Sequence, residues 1–433
     1  MKMKNFIIAS IIVIISFTSY SQSLFESTIS SDEGDNKKVE INGYVRTDIF
    51  ANESDYRSAY GETSLKLETN CFKYGNAFSE VRLRKEFTDG SSRVLVDLRE
   101  AYINLYLSDF DFRIGKQIIV WGRADGFNPT NNLTPYDYTF FSPEEDDKRL
   151  SNFVVSGDYN LYPFELSANW IPVYKSAILP FGKATLPNGI EWGRENFPDT
   201  GLSNSAYALK LSVEDARFDG SVSYFNGYHK LPGLCLRTTE NNPDQIYLTA
   251  HHTQIIGLDF STVISKYGLR GEFAYSRPFE NEDIYFSIPE SQFEYTIGIE
   301  REWGNFSLIA QYIGKTVFNF DATVGINEIG DDYLTNQMIT WNRMIYGQQK
   351  DLSHSFSLRP YLSVAHQTLT FEILSLYNLS TEELFFKPQI DYHLSDNISL
   401  TSGMQLYAGP DNTLFNMLGK GLNSGFAECK ISF

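Results

Sequence analysis

Six histidines are the side chains in this sequence best suited to general-base or metal chemistry: His229, His251, His252, His354, His366 and His393. His354 and His393 sit within predicted strands, and neither stands in a nucleophile signature. His251 and His252 are adjacent, so in a strand their side chains point to opposite faces and cannot share a metal ion. No phosphate-binding glycine loop or zinc spacing occurs either. The sequence therefore predicts no enzyme, with no catalytic residue, no bound metal and no cofactor.

An acidic run is the second feature with chemical potential, and it consists of Glu144, Glu145, Asp146 and Asp147. Such a run is usually a solvated loop surface, and its spacing lacks the regular oxygen pattern of a calcium loop. The other interpretation is that the loop folds into a pore and faces cations across a narrow gap. Opposed charges would then orient dipolar solutes and filter ions. The cations predicted to form the opposing basic wall are Arg46, Lys66, Arg82, Arg84 and Arg113.

The elements that must position these charges are strands, because apolar and polar residues alternate in segments of nine to eleven residues. In residues 398–406, for example, Ile398, Leu400, Met404 and Leu406 alternate with small or polar residues. Convincing amphipathic helices are absent. A soluble β-sandwich also alternates, but the segment length matches a tilted membrane-spanning strand. Pairs of strands with very short turns, separated by long polar loops, favour a transmembrane barrel.

Eighteen strands are predicted, and their connections give a consistent topology. The strands are at 39–49, 62–71, 76–86, 97–107, 110–118, 150–160, 163–171, 205–214, 217–226, 252–262, 268–277, 291–302, 305–315, 353–364, 367–378, 383–393, 397–407 and 424–433. Turns after even-numbered strands should be periplasmic and short, and all of them are. Odd-numbered strands lead into external loops, including 119–149, 172–204, 227–251 and 316–352. The predicted fold is an all-β, transmembrane antiparallel β-barrel of about 18 strands.

The N-terminal residues predict export. Lys2 and Lys4 precede an apolar run from Phe6 to Phe17, and residues 19–21 have the composition of a cleavage site, so residues 1–21 are predicted to be a signal peptide. Residues 22–38 should form a flexible periplasmic leader, and residues 39–433 the barrel. Without the signal peptide the chain has 34 basic and 54 acidic residues, a balance that excludes nucleic acid as a partner. We expect a Gram-negative outer membrane, with outer-membrane lipid around the barrel.

A motif begins at the end of the fifth predicted strand and continues into the loop after it. It has the form G-[RK]-Q-x₃-W-G…P-x-D and consists of Gly115, Lys116, Gln117, Trp121, Gly122, Asp125, Pro135 and Asp137. Around this motif, residues 98–174 resemble a large outer-membrane β-barrel family of undefined function that is related to alginate-export-type porins. Thr134 stands where that family has asparagine. The resemblance covers about a fifth of the chain and implies an outer-membrane pore without naming a substrate.

The alternation also predicts which charges face the lumen. The predicted lumen cations are Arg46, Lys66, Arg82, Arg84, Arg113, Lys210, Arg270, Arg359, Lys387 and Lys430. The predicted lumen acids are more numerous: Glu40, Asp48, Glu62, Glu68, Glu80, Glu100, Asp111, Asp158, Glu165, Asp219, Glu272, Glu294, Glu300, Glu372 and Asp391. A polyanion exporter should line its pore with cations, so this mixture argues against alginate as cargo.

The predicted function is a porin-like channel or exporter that passes solutes, whose identity the sequence does not reveal, across the outer membrane. An alternative is a non-conducting barrel whose external loops bind a surface partner or polysaccharide. A third is an outer-membrane hydrolase. The last predicted strand has Ala427, Cys429, Ile431 and Phe433 on one face. This pattern resembles the assembly signal of bacterial outer-membrane barrels and implies the barrel-assembly machinery as a partner.

Overall fold

The structure is a computed structural model, and it describes residues 39–433 except for 53–55, 73, 89–90, 181–189, 238–243, 280–285 and 323–332. The predicted signal peptide (residues 1–21) and leader (residues 22–38) lie outside the described residues. None of the helices within the described ranges is long and apolar enough to cross a membrane.

Eighteen of the strands form one closed antiparallel barrel. They are β1 (Val39–Ala51), β2 (Tyr56–Phe72), β3 (Gly75–Thr88), β4 (Ser91–Leu107), β5 (Phe110–Gln117), β6 (Asn152–Leu161), β7 (Phe164–Ile171), β9 (Ala206–Asp215), β10 (Phe218–Tyr228), β13 (His252–Ile264), β14 (Tyr267–Pro278), β15 (Gln292–Trp303), β16 (Phe306–Val317), β17 (Leu352–Val364), β18 (Leu369–Asn378), β19 (Glu383–Ser395), β20 (Ile398–Ala408) and β21 (Ser424–Ser432). The other three strands, β8 (Ile190–Trp192), β11 (Gly233–Arg237) and β12 (Asp244–Thr249), form a small separate sheet. Each barrel strand pairs with the next barrel strand along the chain, and β1 pairs with β21. The predicted eighteen-stranded all-β barrel is confirmed.

Residues alternate between an apolar outer face and a polar or small inner face. On β9, the outward Leu209 and Leu211 are about half exposed, whereas the inward Ala208 and Ser212 are buried. This is the pattern of a barrel surrounded by lipid, with a polar interior. It explains why the eighteen predicted strands all overlap observed ones.

The two ends of the barrel differ in their connections. At one end, here called the short-turn end, β6 and β7 are joined by residues 162–163 and β15 and β16 by residues 304–305. At the other, the long-loop end, β5 and β6 are joined by residues 118–151, and β7 and β9 by residues 172–205. In outer-membrane barrels the short turns are periplasmic and the long loops extracellular.

Two strands start well before their predicted first residues. β2 begins at Tyr56 rather than at 62, and β4 begins at Ser91 rather than at 97. Both additions lie at the long-loop end. Their residues do not follow a simple apolar–polar alternation, and the pattern that identifies a lipid-facing strand therefore fails there. By contrast β5 is short, and it pairs only with the segment Ala101–Leu107 of β4.

The expectation that no amphipathic helix exists is wrong. Helix α1 (Tyr333–Tyr346) lies in the loop between β16 and β17, and α2 (Leu414–Leu422) lies between β20 and β21. Met338 of α1 is fully buried against Leu234 and Ile246 of the small sheet. The small sheet and α1 thus share a separate core over the long-loop end of the barrel. We call this unit of β8, β11, β12 and α1 the cap. Its elements are short and come from distant loops, so no single stretch of sequence has a clear periodicity.

Phe433 closes the seam between the first and last strands. Its backbone N–H donates to the carbonyl of Gly43 at 3.0 Å, and its carbonyl accepts from the Gly43 N–H at 2.9 Å. The ring lies over Gly43, and 54% of the residue surface is exposed on the outer face. The ring is therefore accessible from the outside of the barrel.

Deleting Phe433 should lower the folded yield, because it removes both the aromatic ring and the two backbone hydrogen bonds to Gly43. The measurement is the heat-modifiable fraction on gels, relative to total protein. The variant Phe433→Ala keeps the backbone bonds and separates the two causes. If the ring is an assembly signal, Phe433→Ala should lose most of the yield that the deletion loses. Normal yield for both variants would show that the terminal residue is not a signal.

Candidate functional site

The loop between β5 and β6, residues 118–151, does not stay outside the barrel; we call it the inward loop. Its first half reaches Glu272 on β14, and its second half reaches Arg46 on β1 and Arg82 on β3. Around the barrel of eighteen strands, β14 is the eleventh strand, and β2, which lies between β1 and β3, is the second. The two sets of contacts are therefore on opposite walls. The loop therefore spans the lumen from wall to wall.

Glu272 is the anchor on the far wall. It is fully buried, and its carboxylate accepts hydrogen bonds from the backbone N–H groups of Arg123 and Ala124 and, at 2.8 Å, from the Thr130 hydroxyl. Gly122 makes this approach possible: its φ is +100°, and a Cβ there would lie 2.5 Å from the Glu272 carboxylate. A glycine is required for both reasons.

Three more contacts attach the same half of the loop to the far wall. Asp125 accepts from the Arg359 guanidinium of β17 at 2.6 Å. Arg123 donates to Asp259 of β13 at 2.8 Å. The Thr296 hydroxyl of β15 donates to the carbonyl of Phe127 at 3.0 Å. Four strands of one wall thus hold this segment.

The near wall receives the acidic run, which forms a short 3₁₀ turn at Glu145–Lys148. Asp147 bridges two arginines, with its carboxylate 2.6 Å from Arg46 and 2.8 Å from Arg82. Burial acts to raise the pKa of the Asp147 carboxyl, but Arg46 and Arg82 hold that pKa well below its usual value. The carboxylate is therefore ionised throughout the physiological pH range.

Arg46 is the centre of this network, and only 1% of its surface is exposed. Its guanidinium lies 2.7 Å from Glu62, 3.3 Å from Glu428 and 3.8 Å from Asp48. Arg84 bonds Glu62 at 2.6 Å and lies 3.8 Å from the centre of the Phe140 ring in the inward loop. The arginines thus contact both neighbouring strand carboxylates and the loop.

Two further cations bind the backbone of the acidic turn. Arg99 of β4 donates to the carbonyls of Asp146, at 2.7 Å, and Arg149. Lys387 of β19 donates to the carbonyl of Pro143 at 2.5 Å and lies 3.6 Å from the Glu145 carboxylate. Alternation along β4 does not predict Arg99 as an inward residue, because Arg99 occupies a β-bulge, where simple alternation fails.

The structure brings together only part of the predicted constriction set. Arg46, Arg82 and Arg84 contact the inward loop, whereas Lys66 and Arg113 make no hydrogen bond or ion pair to it in the described part of the chain. Arg113 instead donates to Asn104 at 2.8 Å and lies over the Tyr102 ring. The four acids are the remaining members of the set. Asp147 binds two arginines and Glu145 faces Lys387, while the Glu144 and Asp146 side chains are exposed, the latter paired with Arg149 at 2.8 Å.

The motif residues occupy β5 and the turns of the inward loop. Gly115 has φ +143°, and a Cβ there would lie 2.2 Å from the Ala101 carbonyl, so only glycine fits. Gln117 is buried and donates to the Val154 carbonyl, and Trp121 packs in an apolar cluster inside the barrel. Further along, the Pro135 carbonyl accepts from the Leu150 N–H, and the Asp137 carboxylate accepts from Thr139. With Gly122 and Asp125, these residues set the path of the loop.

The adjacent histidines belong to different environments. His251 lies in the cap, where its ring stacks on that of His229 with centroids 5.1 Å apart. His252 points the other way and packs on Phe279. Burial and the neighbouring Lys230 lower the pKa of His229 to about 4, so the ring is neutral at physiological pH. Among the described residues, no group of three or more metal-ligating side chains is arranged to hold a metal ion.

Comparison with known proteins gives the fold of this chain. No protein-family model matches it, and no curated protein sequence matches it, so the resemblance to the alginate-export-related family stays a prediction. The structure resembles Pseudomonas aeruginosa OccK10 (OpdN), with a TM-score of 0.52, 10% identity and coverage of 92% of this chain and 99% of that one. For Acinetobacter baumannii OccAB1 the TM-score is 0.53, the identity 10% and the coverage 93% and 98%.

A third similar structure is Pseudomonas aeruginosa OccK2 (OpdF) in complex with glucuronate, with a TM-score of 0.50, 10% identity and coverage of 92% and 97%. These structural neighbours are outer-membrane channels rather than enzymes. At such low identity the likeness concerns the fold alone. The chain is an eighteen-stranded antiparallel barrel with the fold of the Occ-type outer-membrane channels of Gram-negative bacteria.

Proposed function

We propose that this protein is a channel for small polar solutes in the outer membrane of a Gram-negative bacterium, and that the inward loop forms its constriction. One observation carries the proposal: the loop binds Glu272 on one wall and Arg46 and Arg82 on the opposite wall. A segment that is bound to both walls and crosses the lumen narrows the passage through a barrel of this size. The mature chain would begin after the signal peptide, near residue 22.

The charged side chains of the lumen support a weak selectivity of the channel for cations over anions. Six of the ten predicted lumen cations are within 4.0 Å of a described carboxylate, so much of the positive charge is neutralised. Acids outnumber cations on the same face, and such an imbalance attracts cations into a narrow pore. OccK2 was solved with glucuronate, which supports a solute of about that size without fixing its charge here.

Replacing Glu144 and Glu145 by Gln, and Asp146 and Asp147 by Asn, should shift ion selectivity toward anions. Arg46 and Arg82 lose the negative charge of their loop partner Asp147, so the electrostatic potential at the near wall becomes more positive. The measurement is the reversal potential of purified protein in planar bilayers under a salt gradient, and the shift should weaken as ionic strength rises. A matched control removes four carboxylates of the cap loops, at Glu191, Glu195, Asp199 and Asp244.

The result separates this proposal from the alternative of a non-conducting barrel whose external loops bind a surface partner. A wild-type protein that inserts but never conducts would favour that alternative. Conductance with unchanged selectivity in a correctly folded fourfold variant, at low salt, would remove the acidic turn from the ion path. Equal shifts in the variant and in the cap control would point to a general surface-charge effect.

A further inference from the structure

The long-loop half of β4 has an unpaired strand edge. β4 runs from Ser91 to Leu107, but β5 pairs only with its segment Ala101–Leu107. On the other side, β3 pairs with β4 along its whole length. Between Ser92 and Asp97, no described strand pairs with the edge that faces away from β3. Within the described ranges, no loop backbone makes a hydrogen bond to the N–H and C=O groups of that edge either.

The side chains along this edge are unusually exposed. Val96 is 73% exposed and Val94 is 63% exposed, whereas a lipid-facing leucine between two strands, Leu209, is 50% exposed. On the other face Arg93 pairs with Glu86 of β3 at 2.7 Å and Asp97 pairs with Lys116 of β5 at 3.4 Å, and the two side chains are still 66% and 55% exposed. Long, exposed apolar edges are templates for pairing with another chain, and proteins normally shield them.

The edge cannot lie in the hydrocarbon layer. An unpaired backbone in lipid costs several kcal/mol for each group, so open edges are not found there. Outward-pointing Lys85 on β3 pairs in register with Val94, and Lys116 at the end of β5 donates to the carbonyl of Leu98. Charged residues on the lipid-facing side mark the boundary of the membrane. The segment 92–97 therefore lies at or beyond the outer boundary, in contact with water.

We propose that this edge is a docking site for an extended polypeptide segment of a partner at the cell surface, which adds to β4 as an antiparallel strand. An added strand replaces water as the partner of the whole row of alternating N–H and C=O groups and aligns its side chains with those of β4. The side chains set the chemistry of the partner: an acidic residue opposite Arg93, a basic residue opposite Asp97, and apolar β-branched residues opposite Val94 and Val96. Opposite charges directly across a strand pair stabilise it.

A second copy of this chain is the less favoured occupant. Antiparallel pairing of the segment with itself, centred on Leu95, would match Arg93 with Asp97 and is chemically suitable. Two barrels in one membrane, however, are related by an axis along the membrane normal, and their strands tilt by about 35–45°. Their β4 strands would then cross at a steep angle rather than run antiparallel. A separate, unconstrained segment meets the edge without this restriction.

The test uses the full-length barrel in phosphatidylcholine vesicles and a fluorescent peptide, SSRVLVDLR, which copies residues 91–99 and is complementary to the edge in the antiparallel register. We expect saturable binding and slowed amide hydrogen exchange at residues 92–97. In the double variant R93D/D97R, like charges then face each other, and binding of this peptide should weaken about tenfold. The peptide SSDVLVRLR should show the reverse preference.

Val96→Lys provides a second variant if the double variant does not fold, because Val96 is exposed and its replacement leaves the barrel intact. It should weaken binding, whereas the matched control Val96→Thr should not. The proposal would be overturned if the peptide did not bind, or if its affinity were the same for wild type, R93D/D97R and Val96→Lys. Disulfide-linked dimers of Val96→Cys barrels in the absence of peptide would instead assign the edge to a second copy.

Discussion

Replacing Glu272 with alanine is expected to release the inward loop from the far wall and to raise the single-channel conductance. The substitution removes the acceptor for the N–H groups of Arg123 and Ala124 and for the Thr130 hydroxyl. Hydrogen bonds to a charged group contribute about 1.5–3 kcal/mol each, so the loss amounts to several kcal/mol of loop anchoring. Larger and noisier conductance in planar bilayers is the expected result.

Two control variants show whether the effect comes from the anchor or from the lost charge. Glu300→Ala removes the same charge from the neighbouring strand, but Glu300 pairs with Arg270 rather than with the loop. It should leave the conductance noise unchanged. Glu272→Gln keeps one carbonyl oxygen for the loop N–H groups, and its effect should fall between those of wild type and alanine. Identical conductance for wild type and Glu272→Ala would mean that the loop does not depend on this anchor.

Replacing Arg46 with methionine should strongly destabilise the barrel. Arg46 is buried against Glu62, Asp147, Glu428 and Asp48. Glu62 and Asp147 keep Arg82 as a partner, but for Asp48 and Glu428 no other ion pair exists within the described ranges. Removing one partner of a buried charge pair typically costs about 3–5 kcal/mol. The urea midpoint of unfolding in lipid vesicles should fall accordingly.

Arg270→Met is the matched control, because Arg270 is another lumen arginine but its side chain is 38% exposed, and its one ion pair among the described residues is with Glu300. Its midpoint should stay close to that of wild type. Adding Asp48→Asn and Glu428→Gln to the Arg46→Met chain replaces the two buried acids that have lost their partner with neutral amides and should restore part of the stability. Equal midpoints for Arg46→Met and Arg270→Met would refute the central role of the buried guanidinium.

The strands could be predicted from the sequence because membrane solvation imposes a local rule. An outward residue such as Leu209 meets lipid and must be apolar, while its neighbours Ala208 and Lys210 face the interior. Such alternation appears within ten residues of the chain and needs no knowledge of the neighbouring strands. It weakens where water replaces lipid, and for this reason the alternation does not predict the early part of β2 or the long-loop half of β4.

The charged faces of the lumen could also be predicted, since parity along a strand assigns Arg46, Arg82 and Glu272 to the interior. The cap could not. Met338 meets Leu234 and Ile246 only because loops that are far apart in the sequence converge over the long-loop end. The loop after β7 contributes β8, the loop after β10 contributes β11 and β12, and the loop after β16 contributes α1, so no local periodicity reveals a core that is shared among loops.

The sequence alone determined an eighteen-stranded barrel with inward-facing charges, because alternation follows from which solvent each residue meets. Whether the acidic turn stays in water or enters the lumen depended on distant partners. Asp147 binds Arg46 across 101 residues, and Thr130 binds Glu272 across 142. The balance between the cost of desolvating these charges and their mutual attraction is set by distances and burial, and only the closed barrel, which brings the two walls to the loop, decides it.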